Sequence, residues 1–282
     1  MSIVRLLAEY YQELDRGFHL YWMEVLRDYG PETVHGLRVN LKQQRAFFYM
    51  LEALAPSFSA GEAMDVFEGV YRKAGKVRDR QVERALLEKN ERRLHIEHRF
   101  SAWLEEQEGR RALLLQQYES GHSMLPVRKL SEQVFQIIRE LPEQGAEARL
   151  QAYYVKIIRG VIAFIRGDKA AGDDLHDLRK FIKELFYNLR FLQRHTGPEA
   201  LQCGALARLD DLQRALGKWH DFDFTVVHLQ EKKKALNAGL LAHLEAERQA
   251  SKAEARAMFE GLEAALEELE RRVERQLGVS AA

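Results

Sequence analysis

Two runs of this chain carry the same cations at the same spacing. His35, Leu37, Arg38, Leu41 and Lys42 recur as His176, Leu178, Arg179, Ile182 and Lys183, so His-x-Leu-Arg-x-x-(Leu/Ile)-Lys is written twice, 141 residues apart. A repeat at half the chain length marks an internal duplication. Wound at about 100° per residue, the first run places Leu37, Leu41, Phe48 and Leu51 on one arc. His35, Arg38, Lys42 and Arg45 fall on a neighbouring arc roughly 80° wide. The second run places Leu178, Ile182, Leu185, Leu189 and Leu192 on its apolar arc, and His176, Arg179, Lys180, Lys183, Arg190 and Arg194 beside it. Like charges three or four residues apart cost a few tenths of a kcal/mol per pair, so each stripe is disfavoured by about 1 kcal/mol until an anion lies opposite. Arg supplies a planar fork for phosphate oxygens and Lys a mobile point charge, and each charge-assisted hydrogen bond is worth about 1.5–3 kcal/mol. A solvated helix face is the plainer reading of any one of these cations. Their repetition beside the same apolar edge favours binding of a polyanion.

His35 and His176 open the two stripes. Either is a first-turn histidine bonded to its neighbours, or a donor whose charge grows when a polyanion raises its pKa. Glu32-x-x-His35 and Asp173-x-x-His176 also have the spacing of a Glu-x-x-His metal pair. The surrounding Arg and Lys would repel a dication, so Glu32 and Asp173 are read as first-turn acids on the helix dipole and no metal or other cofactor is expected. Lys76, Arg78, Lys218 and Arg194 extend a basic rim, with His220 beside them. Asp79 and Asp221, each four residues after a glycine, are read as helix caps following Gly75 and Gly217. His95, His98, Trp103 and the cluster Tyr10, Tyr11, Phe18, Tyr21 and Trp22 are read as packing residues. No Gly-rich phosphate loop, nucleophile elbow, Cys/His pairing or acid pair is recognisable, so a non-catalytic protein is expected.

The elements that position these residues are helices. Gly and Pro are sparse in the 282 residues, and no stretch alternates with a strand's period. Lys plus Arg equals Asp plus Glu, 43 of each, so the information lies in where charges fall rather than in their sum. Cys203 is the single cysteine, which fits a reducing compartment. The N-terminus reads as an amphipathic helix rather than a signal peptide and no run is long and apolar enough to span a bilayer, so a cytoplasmic protein without membrane insertion is expected. Breaks at Tyr29-Gly30-Pro31, Pro56, Gly75 and Glu119–Pro126 divide the first part into helices over 3–28, 31–54, 59–73 and about 80–118, the last read as one long helix or as two with a break near Asn90. A short helix over 130–139 and a loop at 142–145 follow. The second part restarts with helices over 146–166, from Asp173 or Asp174 to Thr196, 199–217, 222–236 and 240–277. About four helices per half, none able to bury its stripe alone, predict an all-α fold of two pseudo-symmetric four-helix bundles, residues 1–125 and 146–282, joined by a 126–145 linker with a short helix.

Ala74-Gly-Lys-Val-Arg-Asp79 and Leu216-Gly-Lys-Trp-His-Asp221 form a second matched pair. With the two signature helices they resemble the conserved-histidine α-helical domain, the CHAD family, whose Gly-x-x-x-Asp segment follows each signature helix. The resemblance spreads over most of the chain. It implies one compact domain with the two basic helices facing across a central groove or pore, and inorganic polyphosphate as the ligand, with polyphosphate granules a possible location. His35, Arg38, Lys42, Arg45, His176, Arg179, Lys180, Lys183 and Arg190 would then be the polyphosphate-binding set. A featureless phosphate chain needs repeated cations and no base-reading groups. The alternatives are single-stranded nucleic acid, whose sites interleave aromatics with cations, a phosphoprotein, or a scaffold with no polyanion ligand. Only Tyr49, Phe186 and Tyr187 lie on or beside the arcs, which makes nucleic acid the weaker reading. The chain departs from the family pattern at Gln43 and Gln44, and at Phe186 where the first copy has Arg45. These changes bear on affinity and ligand length more than on fold. No triphosphate-tunnel segment is recognisable, so the ligand is expected to be held and not hydrolysed.

Overall fold

The computed structural model describes residues 2–96, 99–167, 175–197, 201, 204–231 and 237–278. Among them there are eleven helices and no strand. Ser2 caps α1 (Ile3–Arg27), its side chain accepting from the Arg5 amide at 3.4 Å. Gly30 and Pro31 turn the chain into α2 (Pro31–Leu54), with proline in the first turn, where its missing N–H costs nothing. Both follow the expected bounds. α7 (Ala146–Arg166) and α8 (Leu175–Thr196) do as well. The expected cap at Asp173 or Asp174 lies outside the described residues, as do Cys203 and His98.

Four expected breaks fall elsewhere. Ser59 caps only the short α3 (Ala60–Asp65), and α4 (Glu68–Leu94) runs without interruption through Gly75 and Asp79. A glycine inside a helix costs about 1 kcal/mol relative to alanine, but a Cβ on Gly75 would lie 2.5 Å from Arg38 Nη1. Gly75 is therefore where α4 admits an arginine, not where it stops. α9 (Ala205–Glu231) likewise continues through Gly217 and Asp221. The break expected near Asn90 comes instead at His95, whose left-handed φ of 55° ends α4 before α5 (Arg99–Gly121). α6 (Leu125–Glu140) begins earlier than expected, with Pro126 in its first turn. The expected single C-terminal helix is two, α10 (Ala238–Ala257) and α11 (Leu262–Leu277), separated at Gly261 with φ 71°.

α2 and α8 are the central pair. They pack on each other, α1 lies along α2, and α7 contacts both. α4 packs on α2 and α5, α9 on α8 and α10, and α11 on α7. Leu37, Leu41 and Leu51 of α2 and Leu178, Ile182, Leu185, Leu189 and Leu192 of α8 are all fully buried, as their arcs required. The N-terminal aromatics also enter this core: Tyr11 stacks on Phe47 at 5.3 Å and Phe18 meets Phe67 edge-on at 5.0 Å. One apolar cluster extends from α1 to α11, and a smaller one joins α4, α5, α9 and α10 through Leu87, Leu104, Phe222 and Leu244. Two polar contacts fix the central elements. Asn188 of α8, wholly buried, donates to the Ala46 carbonyl of α2 at 2.8 Å and to the Tyr153 hydroxyl of α7 at 2.6 Å. Between α4 and α9, Nδ1 of His228 bonds buried Glu83 at 2.6 Å.

Candidate anion-binding site

Because α2 and α8 lie side by side with α4 and α9 beside them, the cationic arcs converge. A cavity of about 580 Å3 is lined by His35, Arg38 and Lys42 of α2, Arg78 of α4, and Arg179, Lys183 and Arg190 of α8. A smaller cavity of about 190 Å3 shares Lys42, Arg179 and Lys183 with it and adds Arg45 and Lys180. Eight of the nine residues expected to form the site therefore line one or both cavities. The exception is His176, which lies beside Asp223 at 3.3 Å and packs its ring on Trp219 at 4.7 Å. Its place in the first turn of α8 puts it against α9, where a face-counting argument cannot see it.

The rim residues divide. Arg78 is inside the large cavity, its Nη1 donating to the Pro31 carbonyl at 3.2 Å. Lys218 lines a third cavity of about 820 Å3 that adjoins the large one at Arg78, Arg214 and Asp221, but is paired with Glu254 at 2.8 Å. Arg194 is paired with Glu13 at 2.9 Å and lies over the Tyr10 ring, and it lines none of the three cavities, nor does Lys76.

Most cations of the site have no carboxylate at ion-pair distance, although Asp79, Asp210 and Asp221 share the large cavity with them. Among the described residues, Arg159, Arg166 and Arg272 hold carboxylates away from the site, and Arg214 in the wall of the large cavity holds one too. Arg38, Lys42, Arg45, Arg78, Arg179, Lys183 and Arg190 form no ion pair among the described residues. Three of them lie over aromatic rings instead: Arg38 over Tyr71 at 5.2 Å, Arg45 over Tyr49 at 5.5 Å and Arg190 over Phe186 at 5.4 Å. Arg179 Nε is buried with no hydrogen-bond acceptor. Burial, and then the charges of Lys183, Arg38 and Arg179, pull the Lys42 ammonium down to about 6. Burial and then Arg179 pull Lys183 down to about 7, with Asp221 opposing. Burial also lowers Arg78, Arg179 and His35, and takes His220 down to about 3. Within the cluster the cations disfavour one another's charge, and an anion brought among them would favour it.

Asp79 and Asp221 are the correction to the sequence reading. Neither caps a helix. Both stand inside long helices and line the large cavity, their carboxyls raised by burial and held down by neighbouring cations, Arg38 for Asp79 and Arg179 for Asp221. Gln44 is no departure from a basic arc, since it is buried and bonds Asn40 at 3.0 Å on the side facing α1, whereas Gln43 does line the cavity. Counting helix faces missed Tyr71, which enters from α4 and whose carbonyl accepts from Arg38 at 3.4 Å, and Glu184 in the small cavity. The Tyr71–Gly75 spacing is the signal that could have found the first, because a glycine one turn on leaves room for the guanidinium. Among the described residues no three His, Cys, Asp or Glu side chains are grouped to hold a metal ion.

An all-helical protein built around two facing cationic helices is the class defined so far. The CHAD domain model matches residues 12–230, and the chain belongs to that family, which is related to polyphosphate binding. The fold is similar to the crystal structure of the CHAD domain from the plant Ricinus communis, with a TM-score of 0.74 and 18% identity over 95% of this chain and 92% of that one. It is also similar to PptA from Streptomyces chartreusis, with a TM-score of 0.60 and 15% identity over 95% of this chain and 99% of that one. At such identities the likeness is one of fold. No curated protein sequence matches the chain.

Proposed function

We propose that this protein is a non-catalytic binder of inorganic polyphosphate, held in the cavity between α2 and α8. The observation that carries this reading is that seven cations of the two cavities, Arg38, Lys42, Arg45, Arg78, Arg179, Lys183 and Arg190, have no ion-pair partner among the described residues, while Lys180 and Arg214 beside them are paired with Asp177 and Asp211. Arg38, Arg78, Arg179 and Arg190 grip phosphate oxygens, Lys42 and Lys183 supply charge where the two cavities meet, and Arg45 and Lys180 continue the track. His35 donates at the mouth. His176 acts through its contacts with Trp219 and His220 and does not touch the ligand. In this reading the halves 1–125 and 146–282 are pseudo-twofold relatives joined by 126–145, and the ligand lies between them. The protein works in the cytoplasm, where granules of the polymer are one target.

The test is a thermal-shift and binding titration with long-chain polyphosphate at low and high salt. The polymer raises the melting temperature, and the affinity falls steeply between 50 and 200 mM salt as counterions are released. Arg179→Glu abolishes most of the binding with helicity retained. Binding by that variant as tight as the parent's, or an affinity flat with salt, refutes the site. Single-stranded DNA in competition should fail to displace the polymer, and the absence of phosphate release on incubation separates binder from hydrolase.

A further inference from the structure

The two cavities differ in a way a plain phosphate chain does not use. The larger is lined by cations and by the rings of Tyr71, Phe186, Tyr187 and Phe224, and holds Asp79, Asp210 and Asp221 among them. The smaller shares Tyr71 and Tyr187 with it and adds the ring of Tyr49 and one acid, Glu184. That carboxylate accepts from the Tyr153 hydroxyl at 3.0 Å through Oε1, and among the described residues no cation pairs with it. Tyr153 is fixed in turn by Asn188, so Glu184 is held in place from behind by α7 and the buried contact between α8 and α2. A lone acid at the end of a phosphate track repels phosphate. It suits a group bearing N–H donors, and such donors favour its ionised form, which burial otherwise disfavours.

We propose that the small cavity is a nucleobase pocket, so that the site also takes nucleoside oligophosphates with the base among Tyr49, Tyr71 and Tyr187 and the phosphates reaching Lys42, Arg179 and Lys183 in the adjoining cavity. Bases stack on tyrosine rings and on guanidinium planes, and the Arg45–Tyr49 stack in the small cavity presents both. Guanine is the base that matches best, since its N1–H and 2-amino group put two adjacent donors toward one carboxylate. The inference rests on the polyanion reading of the site and adds a ligand class to it.

The experiment compares GTP with tripolyphosphate, whose charge is similar, by isothermal titration against the full chain and its Glu184→Gln variant. GTP binds the parent about tenfold tighter than tripolyphosphate, within the range that one stacked base contributes. Glu184→Gln, which keeps the acceptor for Tyr153, weakens GTP and leaves tripolyphosphate unchanged or tighter. Tyr49→Leu removes the GTP advantage by a second route. GTP binding no tighter than tripolyphosphate, or Glu184→Gln strengthening both ligands alike, overturns the proposal. Should long-chain polyphosphate still bind in that case, only the base pocket falls; should no phosphate compound bind, the polyanion reading falls with it.

Discussion

At the scale of single residues the decisive quantity is protonation. Lys42, near 6, and Lys183, near 7, are largely neutral at pH 8 when the site is empty. A polyanion favours their charged forms, so the complex holds more protons than the free protein and binding takes protons up. Affinity for polyphosphate is therefore expected to rise as pH falls from about 8 to 6. Titrations in buffers of different ionisation enthalpy should show that uptake, and an affinity that fell over the same interval would contradict it. Glu119 behaves in the opposite sense. It is buried, neither carboxylate oxygen has a partner, and burial raises its carboxyl from 4.5 to about 8. The folded form then holds a proton that the unfolded form has released, and stability declines as pH climbs from the unfolded value to about 8. Glu119→Gln should stabilise the protein by on the order of 1–3 kcal/mol above pH 8 and have no such effect near pH 4, as read from denaturant midpoints at the two pH values.

At the scale of elements the legible part of the chain was the periodic part. Leu37, Leu41 and Leu51 on α2 and Leu178, Ile182 and Leu185 on α8 were readable because a core-facing arc repeats every 3.6 residues, and the cationic arcs beside them came with it. Gly75 and Gly217 were misread because composition does not distinguish a glycine that ends a helix from one that leaves space within it. That difference yields a paired prediction. Gly75→Ala drives a Cβ into Arg38 and should weaken polyphosphate binding severalfold while costing the fold little, because the atom it meets is the end of a flexible side chain. Gly217→Ala, also in the cavity wall but with nothing within 4 Å of the added Cβ, should stabilise α9 by up to about 1 kcal/mol and displace no cation of the site. Melting curves and a binding titration on the two variants decide it. The break between α10 and α11 was illegible for a different reason, since Gly261 interrupts a run otherwise rich in Ala, Glu, Leu and Arg. Glu184 carried no signal at all: its role depends on Tyr153 of another helix.

At the scale of the molecule, balanced charge conceals a division of labour. Acids of the outer helices neutralise cations there, as α11 does Arg159 and Arg166 of α7, while among the described residues Arg38, Lys42 and Arg45 of α2 and Arg179, Lys183 and Arg190 of α8 have no ion-pair partner. One core still runs through all of it, so the strain of those cations is borne by the same packing that holds α2 against α8. Lys42 and Lys183 stand where this strain concentrates. Replacing both by methionine, in the variant Lys42→Met with Lys183→Met, should raise the melting temperature of the empty protein and reduce polyphosphate binding, since buried like charges are exchanged for apolar volume. Calorimetry alongside a binding titration checks the two effects together, and a variant that melts lower than the parent would count against it. The parent would then be a molecule left deliberately unfinished, most durable only once its cargo is aboard, so that how long a copy survives in the cell would report how much of that cargo is present.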